Sequence, residues 1–576
     1  MLLNLPVVRS PRTRILFVSS VLVTIACLMW LSQLAWAKNY HGLSPIFFTL
    51  LTEPDYTASM AALAILLIAL FFRSGTWANA VLRTIGERPG IVAVGTFVVL
   101  SLGSLLVYRN HPLSMDEYAS FLQSQAFAAG RLSGHFPPEY LDWLVPKGFQ
   151  NLFLSVSPST GNVMSGYWPS FALLLTPFTF LGIPWACNPV LSGLTIIAIH
   201  RLAIRLFDDV EAAGLAVLLT VASPVFFASG ISYYSMTAHL LANAVFVLLL
   251  LEPTPRRLLL AGFVGSIALT LHNPVPHLLF ALPWFAWLAM RPKPLRNLVQ
   301  IGLGYLPLSL LLGLGWFWLL GDFMSAGTTA GGAAVPENAA RLSAVLSEPS
   351  FNILFARMAG LVKLWLWAVP GLIVLACAGA WRWRADTRCR LLAASGVATL
   401  VGYVFVTADQ GHGWGYRYFH SAWFVLPILA SALWARRAPA AGQQAPSTDV
   451  HLTAFVVAAA LLSLVIGVTH RGLQIRDFMS EHLAQLPRYG GTEPRVVIVD
   501  PSESFYGLDL VQNHALLDSD VITFVSHGAD ADAAVMKKFR PDFNLVYWDR
   551  HGEVWSAGPP VVRARAFSHR ATLTVQ

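Results

Sequence analysis

Two acids stand side by side in SMDEYASFLQSQAFAAGRLSG, residues 114–134: Asp116 and Glu117. A carboxylate held at a membrane edge can take the proton of an acceptor hydroxyl, or help to bind a divalent metal. Arg417, in DQGHGWGYRYFH at 409–420, offers the planar fork that grips phosphate, with Trp414, Tyr416 and Tyr418 around it. Lys147, in VPKGFQN, is a further basic residue in the same external loop as the acids. LHNPVPH gathers His272, Asn273 and His277 at one turn. These can hydrogen-bond an acceptor or a phosphate. With a nearby carboxylate the two histidines could hold a divalent metal, although their spacing is no recognised ligand motif. Tyr233, Tyr234 and His239 occupy a neighbouring turn and could line the same cavity. Asp322 and Asp409 are further acids at the starts of loops.

Each of these residues also has a plainer role open to it. Ser114-x-x-Glu117 is a capping box, and Asp116 in the first turn suits the helix dipole. Capping accounts for Glu117 completely and for Asp116 less well, because one acid suffices. Arg417 and its aromatic neighbours also fit an interfacial belt with an anchoring cation. Lys147 also fits a solvated surface, and the histidine turn also fits a structural role. The glycines of GHGWG have no strand before them and do not form a dinucleotide loop; they let the backbone turn tightly. Cys27, Cys187, Cys377 and Cys389 show no CxxC spacing and read as small apolar residues, neither a metal site nor a disulfide framework.

The elements that must position these groups are membrane helices. Of 576 residues 56% are hydrophobic and 12% charged, and mean hydropathy is +0.59. Repeated runs of about 20 apolar residues imply an all-α polytopic protein. About thirteen spans are expected, near 15–36, 56–72, 91–108, 186–206, 211–229, 235–251, 258–272, 276–290, 298–320, 360–380, 391–408, 419–435 and 452–469. Alternate ends carry the basic residues: Arg9, Arg12 and Arg14, then Arg73, Arg83 and Arg88, and so on to Arg436 and Arg437. The positive-inside rule places those ends in the cytoplasm, with the N-terminus. The net charge of +8 therefore reflects topology and not a nucleic-acid surface. Outside lie 109–185, 321–359 with its GTTAGGAAVPEN, 409–418, and the C-terminus from 470. The first helix is expected to be retained, although Ala35-Trp36-Ala37 also has the form of a signal-peptide cleavage site. Residues 167–182 are apolar, but too short and proline-broken to cross, so they are expected to lie at the interface. The helix after Ser114 has an apolar face of Tyr118, Phe121, Leu122, Gln125, Ala126 and Ala129, suited to lying on the membrane. RVVIVD, DVITFVS and FNLVYWD read as buried strands of a small extramembrane α/β domain at 470–576.

A spanning helix, a short link, Asp116-Glu117 followed directly by Tyr118, and an amphipathic helix resemble the first external loop of the GT-C glycosyltransferases. The likeness is to the branch with protein O-mannosyltransferases and lipid A aminoarabinose transferases. Gly166-Tyr167-Trp168-Pro169, an apolar stretch and Leu181-Gly182 resemble that family's passage from loop to helix. The resemblance covers roughly 90–435. It implies a catalytic core at 91–435, two additional helices at 1–90, a linker and last helix at 436–469, and the external domain. It further implies a sugar passed from a polyprenyl-phosphate donor to an envelope glycan, lipid or protein on the outer face of a bacterial inner membrane, with inversion. Asp116 would take the acceptor proton and Glu117 would orient or cap. Lys147 and Arg417 would hold the donor phosphate, with Tyr416, Tyr418, His272, Asn273 and Tyr233 lining the site. No metal is required by this scheme, although some relatives use one. A transporter of lipid-linked sugar would show repeated halves and charges at mid-membrane depth, neither of which the sequence displays. A non-catalytic envelope assembly protein, binding a partner through the external domain, is the third reading.

Overall fold

The computed structural model describes residues 10–40, 42–72, 76–325, 349–407, 409–436 and 449–561. Proline opens many of the helices: Pro11, Pro45, Pro54, Pro89, Pro224, Pro255 and Pro294 each stand in a first turn. There the missing amide costs nothing and the fixed φ is already helical. Among the described residues, six helices are long and apolar enough to cross a membrane: Pro11–Ala37, Pro89–Leu106, Pro184–Phe207, Pro294–Gly321, Thr387–Phe405 and Val450–Leu483. Val210–Val221 and Pro224–Ile231 make a seventh if counted as one span, bent by 61°. Ser170–Phe180, Met236–Leu250, Val275–Ala289 and Leu372–Arg382 are apolar but shorter. The chain is an integral membrane protein, built from a mixture of full, short and broken helices.

Several expected boundaries move. The span expected at 360–380 is two helices, Phe351–Leu366 and Leu372–Arg382, separated at 367–371. Pro370 cannot continue the first helix, and Gly371, at φ 89°, starts the second. The loop expected at 321–359 is shorter, because Gly315–Ser325 and Phe351–Leu366 are helical at its two ends. Asp322 therefore lies within a helix, while GTTAGGAAVPEN lies outside the described residues. The last helix passes 469 and runs to Leu483 through a π-turn at Ser463–Gly467. The 167–182 stretch contains only the eleven-residue Ser170–Phe180, with Pro177 inside it. At 1.5 Å per residue that is about half a bilayer core.

Close backbone contact sets some of the packing. At Gly262 an added Cβ would sit 2.1 Å from the Ile301 carbonyl oxygen, and at Gly304 one would sit 2.2 Å from that of Leu259. Small residues thus let Pro255–Thr270 and Pro294–Leu308 touch, the way helices associate where lipid supplies no hydrophobic drive. Elsewhere a buried charge cluster joins elements distant in sequence. Asp55, in Pro54–Ala69, receives Lys363 Nζ at 2.9 Å, Arg471 Nη2 at 2.6 Å and the Trp367 indole N–H at 2.8 Å. This ties the N-terminal helices to Phe351–Leu366 and Val468–Leu483.

Two small sheets stand beside the helices. In the first loop, β1 (Gly134–His135), β2 (Leu154–Val156) and β3 (Asn162–Ser165) pair antiparallel in the order β1-β3-β2, a sheet the sequence did not announce. The C-terminal sheet contains the three expected strands, β4 (Arg495–Val499), β5 (Val521–Val525) and β6 (Asn544–Asp549), and adds β7 (Gly552–Ser556). Its order is β5-β4-β7-β6, with β4 and β5 parallel and the other pairs antiparallel. Side chains alternate along β4. Val496 and Ile498 join a core with Met115, Tyr118, Leu122 and Ala126, whereas Val497 and Val499 pack with Val511, Val525 and Val554. The apolar face of Met115–Ala128 expected on the membrane is therefore buried in a core shared with the first loop and the C-terminal sheet. Gln125 accepts the Ala515 amide at 3.1 Å on that side. Burying such a Leu or Ile contributes about 1.5–3 kcal/mol each.

Candidate functional site

The site begins at the helix Met115–Ala128, whose N-cap Ser114 is extended at φ −127°, ψ 162°. Glu117 reaches back to the Leu113 and Ser114 amides at 2.6 and 3.3 Å, so its half of the capping box is formed. Its other oxygen accepts the Tyr108 hydroxyl and the Tyr233 amide, both at 2.9 Å. Four donors surround a fully buried carboxyl. Burial pushes it up to about 7 against the pull of those donors. Glu117 anchors the turn to two neighbouring segments, in keeping with the orienting or capping role expected of it.

Asp116 points differently. Its Oδ1 accepts the Tyr167 hydroxyl, and its Oδ2 receives both Nη atoms of Arg417 at 3.0 Å. The two side chains are 20% and 11% exposed, so the pair is sheltered yet reachable. Burial alone would raise the Asp116 carboxyl. Arg417, then His272 and the Tyr167 hydroxyl, outweigh it and hold the group below its ordinary range. Arg417 is itself held in place: Nη1 donates to the Gln410 and His412 carbonyls at 3.0 and 2.6 Å, and Cζ lies 4.1 Å above the Tyr234 ring. Among the described residues its Nε has no partner.

The glycine-rich turn makes this possible. Gly413, at φ 124°, lies where a Cβ would be 2.2 Å from Arg417 Cδ. Only glycine combines that backbone region with that close approach. Gln410 then braces the turn, accepting the Arg417 amide at 3.0 Å and donating to the Gly415 carbonyl at 2.9 Å.

The other expected residues divide. His272 is brought in, stacked on Tyr167 with ring centroids 3.9 Å apart, and Asn273 Nδ2 lies 2.7 Å from its Nδ1. His277 faces away, bonded to Asn243 at 2.7 Å and to Tyr305 at 2.6 Å. The two histidines thus serve different neighbours, and no group of three His, Cys, Asp or Glu side chains converges as a metal site among the described residues. His239 is buried and, among the described residues, without a partner on either nitrogen. Tyr233 turns its hydroxyl to Asn110 at 2.5 Å, and it is Tyr234 that meets the arginine. Tyr416 packs against Gly360. Tyr418 stacks on Tyr403 at 4.4 Å and donates to the Asp409 carbonyl at 2.6 Å. Both support the turn. Asp409 accepts the Ser44 and Gly411 amides at 2.6 and 2.7 Å, which makes it a loop brace and not a second acid. Lys147 is not brought to the pair. Its turn faces solvent, its side chain is 72% exposed, and it bridges Asp142 at 3.1 Å.

No protein-family model matches the chain, and no curated protein matches it in sequence. In three dimensions it is similar to ArnT. The likeness is to two crystal structures of ArnT from Cupriavidus metallidurans, in the apo state and bound to undecaprenyl phosphate. Identity is 13% with each, over 81% of this chain and 98% and 99% of theirs, with TM-scores of 0.46 and 0.49. The residues that complete the site come from three separate segments. Tyr234 stands in the turn expected to line the cavity and Tyr167 in the 166–169 stretch, whereas Asp509, whose Oδ1 takes the Met115 amide at 2.6 Å, comes from the C-terminal segment and no motif marked it. Burial pushes Asp509 up to about 8, while Asp116, one residue along from its partner amide, is held low.

Proposed function

We propose that this chain is an inverting membrane glycosyltransferase that takes a sugar from a polyprenyl phosphate and passes it to an envelope glycan, lipid or protein. The observation that carries the reading is the Asp116–Arg417 pair, a base and a phosphate ligand side by side in a sheltered, aromatic-walled site. An apolar cavity of about 750 Å³ lies among the neighbouring helices, lined by Trp30, Leu361, Trp365, Ile373, Leu400 and Phe419 among others. Phe419 shares the short helix Arg417–His420 with the guanidinium. A lipid with an anionic head and an apolar tail matches that neighbourhood of cation and cavity.

In the proposed reaction the acceptor hydroxyl gives its proton to Asp116 as its oxygen bonds to the sugar's anomeric carbon. The bond from that carbon to the phosphate oxygen breaks, and Arg417 stabilises the charge gained by the departing phosphate. One displacement inverts the centre. The resting ion pair adds a control: a phosphate engaging Arg417 competes for the donors that hold Asp116, and the carboxylate becomes more basic as the donor arrives. The membrane would be the bacterial inner membrane, with the site on its outer face.

The test compares, by mass spectrometry, the envelope glycans and lipids of cells lacking the chain, complemented with wild type or Asp116→Asn. A defined sugar mass should return with wild type alone and identify both sugar and acceptor. If equally expressed variants restore the same product, Asp116 is a helix cap and the transporter or assembly reading takes over.

A further inference from the structure

A single turn of the C-terminal segment touches a neighbour of each member of the pair, Met115 beside Asp116 and His412 beneath Arg417. Gly507–Leu510 is a short 3-10 turn, and Tyr506 before it stands in the left-handed region at φ 66°, ψ 19°. A bulky residue held there is strained, and something must hold it. Its ring stacks on His412, with centroids 5.2 Å apart, and lies 5.8 Å from that of His482. The His412 carbonyl is the shortest bond Arg417 makes, at 2.6 Å, and the His412 ring lies 3.2 Å from the Tyr234 hydroxyl. Three residues on, Asp509 is 5% exposed and accepts the Met115 amide at 2.6 Å. That amide is among those a helix start leaves without an intrahelical acceptor, and the next residue is Asp116.

The turn is itself anchored. Gln512 Nε2 donates to the Pro112 and Asp509 carbonyls, both at 2.8 Å. Asn513 receives the Thr523 amide and donates to the Thr523 carbonyl, each at 2.8 Å, and its own amide meets the Tyr118 hydroxyl at 2.7 Å. The sheet, the turn and the helix Met115–Ala128 are therefore one bonded unit. We infer that the turn at 506–510 is a positioning element of the site: Asp509 sets Asp116 through the Met115 amide, and Tyr506 sets Arg417 through His412. Neither residue needs to touch substrate. This rests on the reading of Asp116 as the base.

The test uses the full chain, with two readouts: sugar transfer in membranes, and binding of undecaprenyl phosphate as the phosphate probe. Asp509→Ala displaces the base but leaves the arginine, so transfer should fall about 100-fold while probe binding changes less than about twofold. Asp509→Asn keeps an oxygen that accepts the Met115 amide and should restore most of the loss. Tyr506→Ala should weaken probe binding about tenfold, because it frees the residue that holds Arg417. All variants are compared at equal melting temperature. Full activity of Asp509→Ala alongside an inactive Asp116→Asn overturns the inference and leaves the base assignment standing. Full activity of Asp116→Asn overturns the base assignment itself. Parallel loss of transfer and probe binding in Asp509→Ala also overturns the inference, because the turn would then only hold the fold.

Discussion

Asp116 and Asp55 both face an arginine, and the two clusters differ in access and in charge balance. Asp116 meets one guanidinium, and their side chains are 20% and 11% exposed. Asp55 is fully buried, with Lys363 and Arg471 each at 1%, so two cations share one carboxylate. Aromatic faces take part of the load there: Arg471 lies 4.0 Å above Trp367 and Lys363 lies 5.5 Å from the Phe47 ring centroid. Among the described residues both arginines keep an Nε without a partner, so an unmatched donor does not by itself mark a binding site. Access does. The Asp116 pair keeps some exposed surface, whereas the Asp55 cluster is fully buried and works as a rivet between helices.

The sharpest test of that contrast is Asp116→Asn, which should lower transfer about 10²–10⁴-fold with little change in melting temperature. Asp55→Ala should do the reverse. Leaving two buried cations uncompensated costs about 3–5 kcal/mol of stability, read as a large drop in melting temperature in detergent, while the protein that remains folded keeps its turnover. If Asp55→Ala melts normally, the rivet description is wrong. Arg417→Lys keeps the charge but loses the fork and its stacking on Tyr234. Undecaprenyl phosphate binding should weaken by about 1.5–3 kcal/mol, measured as the change in dissociation constant. Glu117 gives a smaller, pH-dependent effect. Its folded value of about 7 lies above the ordinary glutamate range. The stability it contributes is therefore present in acid and is lost as pH rises through about 7. Melting temperature should fall between pH 6 and pH 8 in wild type and fall less in Glu117→Gln, where that group no longer titrates. The smallest effect is expected at Lys147, whose exposed pair with Asp142 contributes about 0–1 kcal/mol. Lys147→Ala should leave transfer and melting near wild type, and a large loss of transfer would return that lysine to the site.

The sequence alone determined what depends on neighbours along the chain. Apolar run length marked the membrane helices, Ser114-x-x-Glu117 marked a helix start, and short apolar runs marked three of the four C-terminal strands. Each is a local property: a period of about 3.6 or 2, a cap, or a turn. The acidic pair and Arg417 were also visible as chemistry looking for a place. Their partners were not. The Ser114-x-x-Glu117 spacing sends Glu117 back into the cap and leaves Asp116 the freer acid, but what Asp116 faces depends on which loop packs over it. Lys147 and Arg417 are alike in sequence as cations near aromatic residues, but only one is folded against the carboxylate, across 301 residues. The same limit hid Asp509, Tyr506 and the Asp55 cluster. Periodicity tells a residue which face it occupies, while the partner across that face is chosen by how distant elements pack. Here Val496 and Ile498 of the C-terminal sheet share one buried core with Tyr118 and Leu122 of Met115–Ala128, and that shared core is what brings Asp509 to the helix start. The tertiary structure decided what Asp116 faces, because only packing determines which distant groups come to lie beside it.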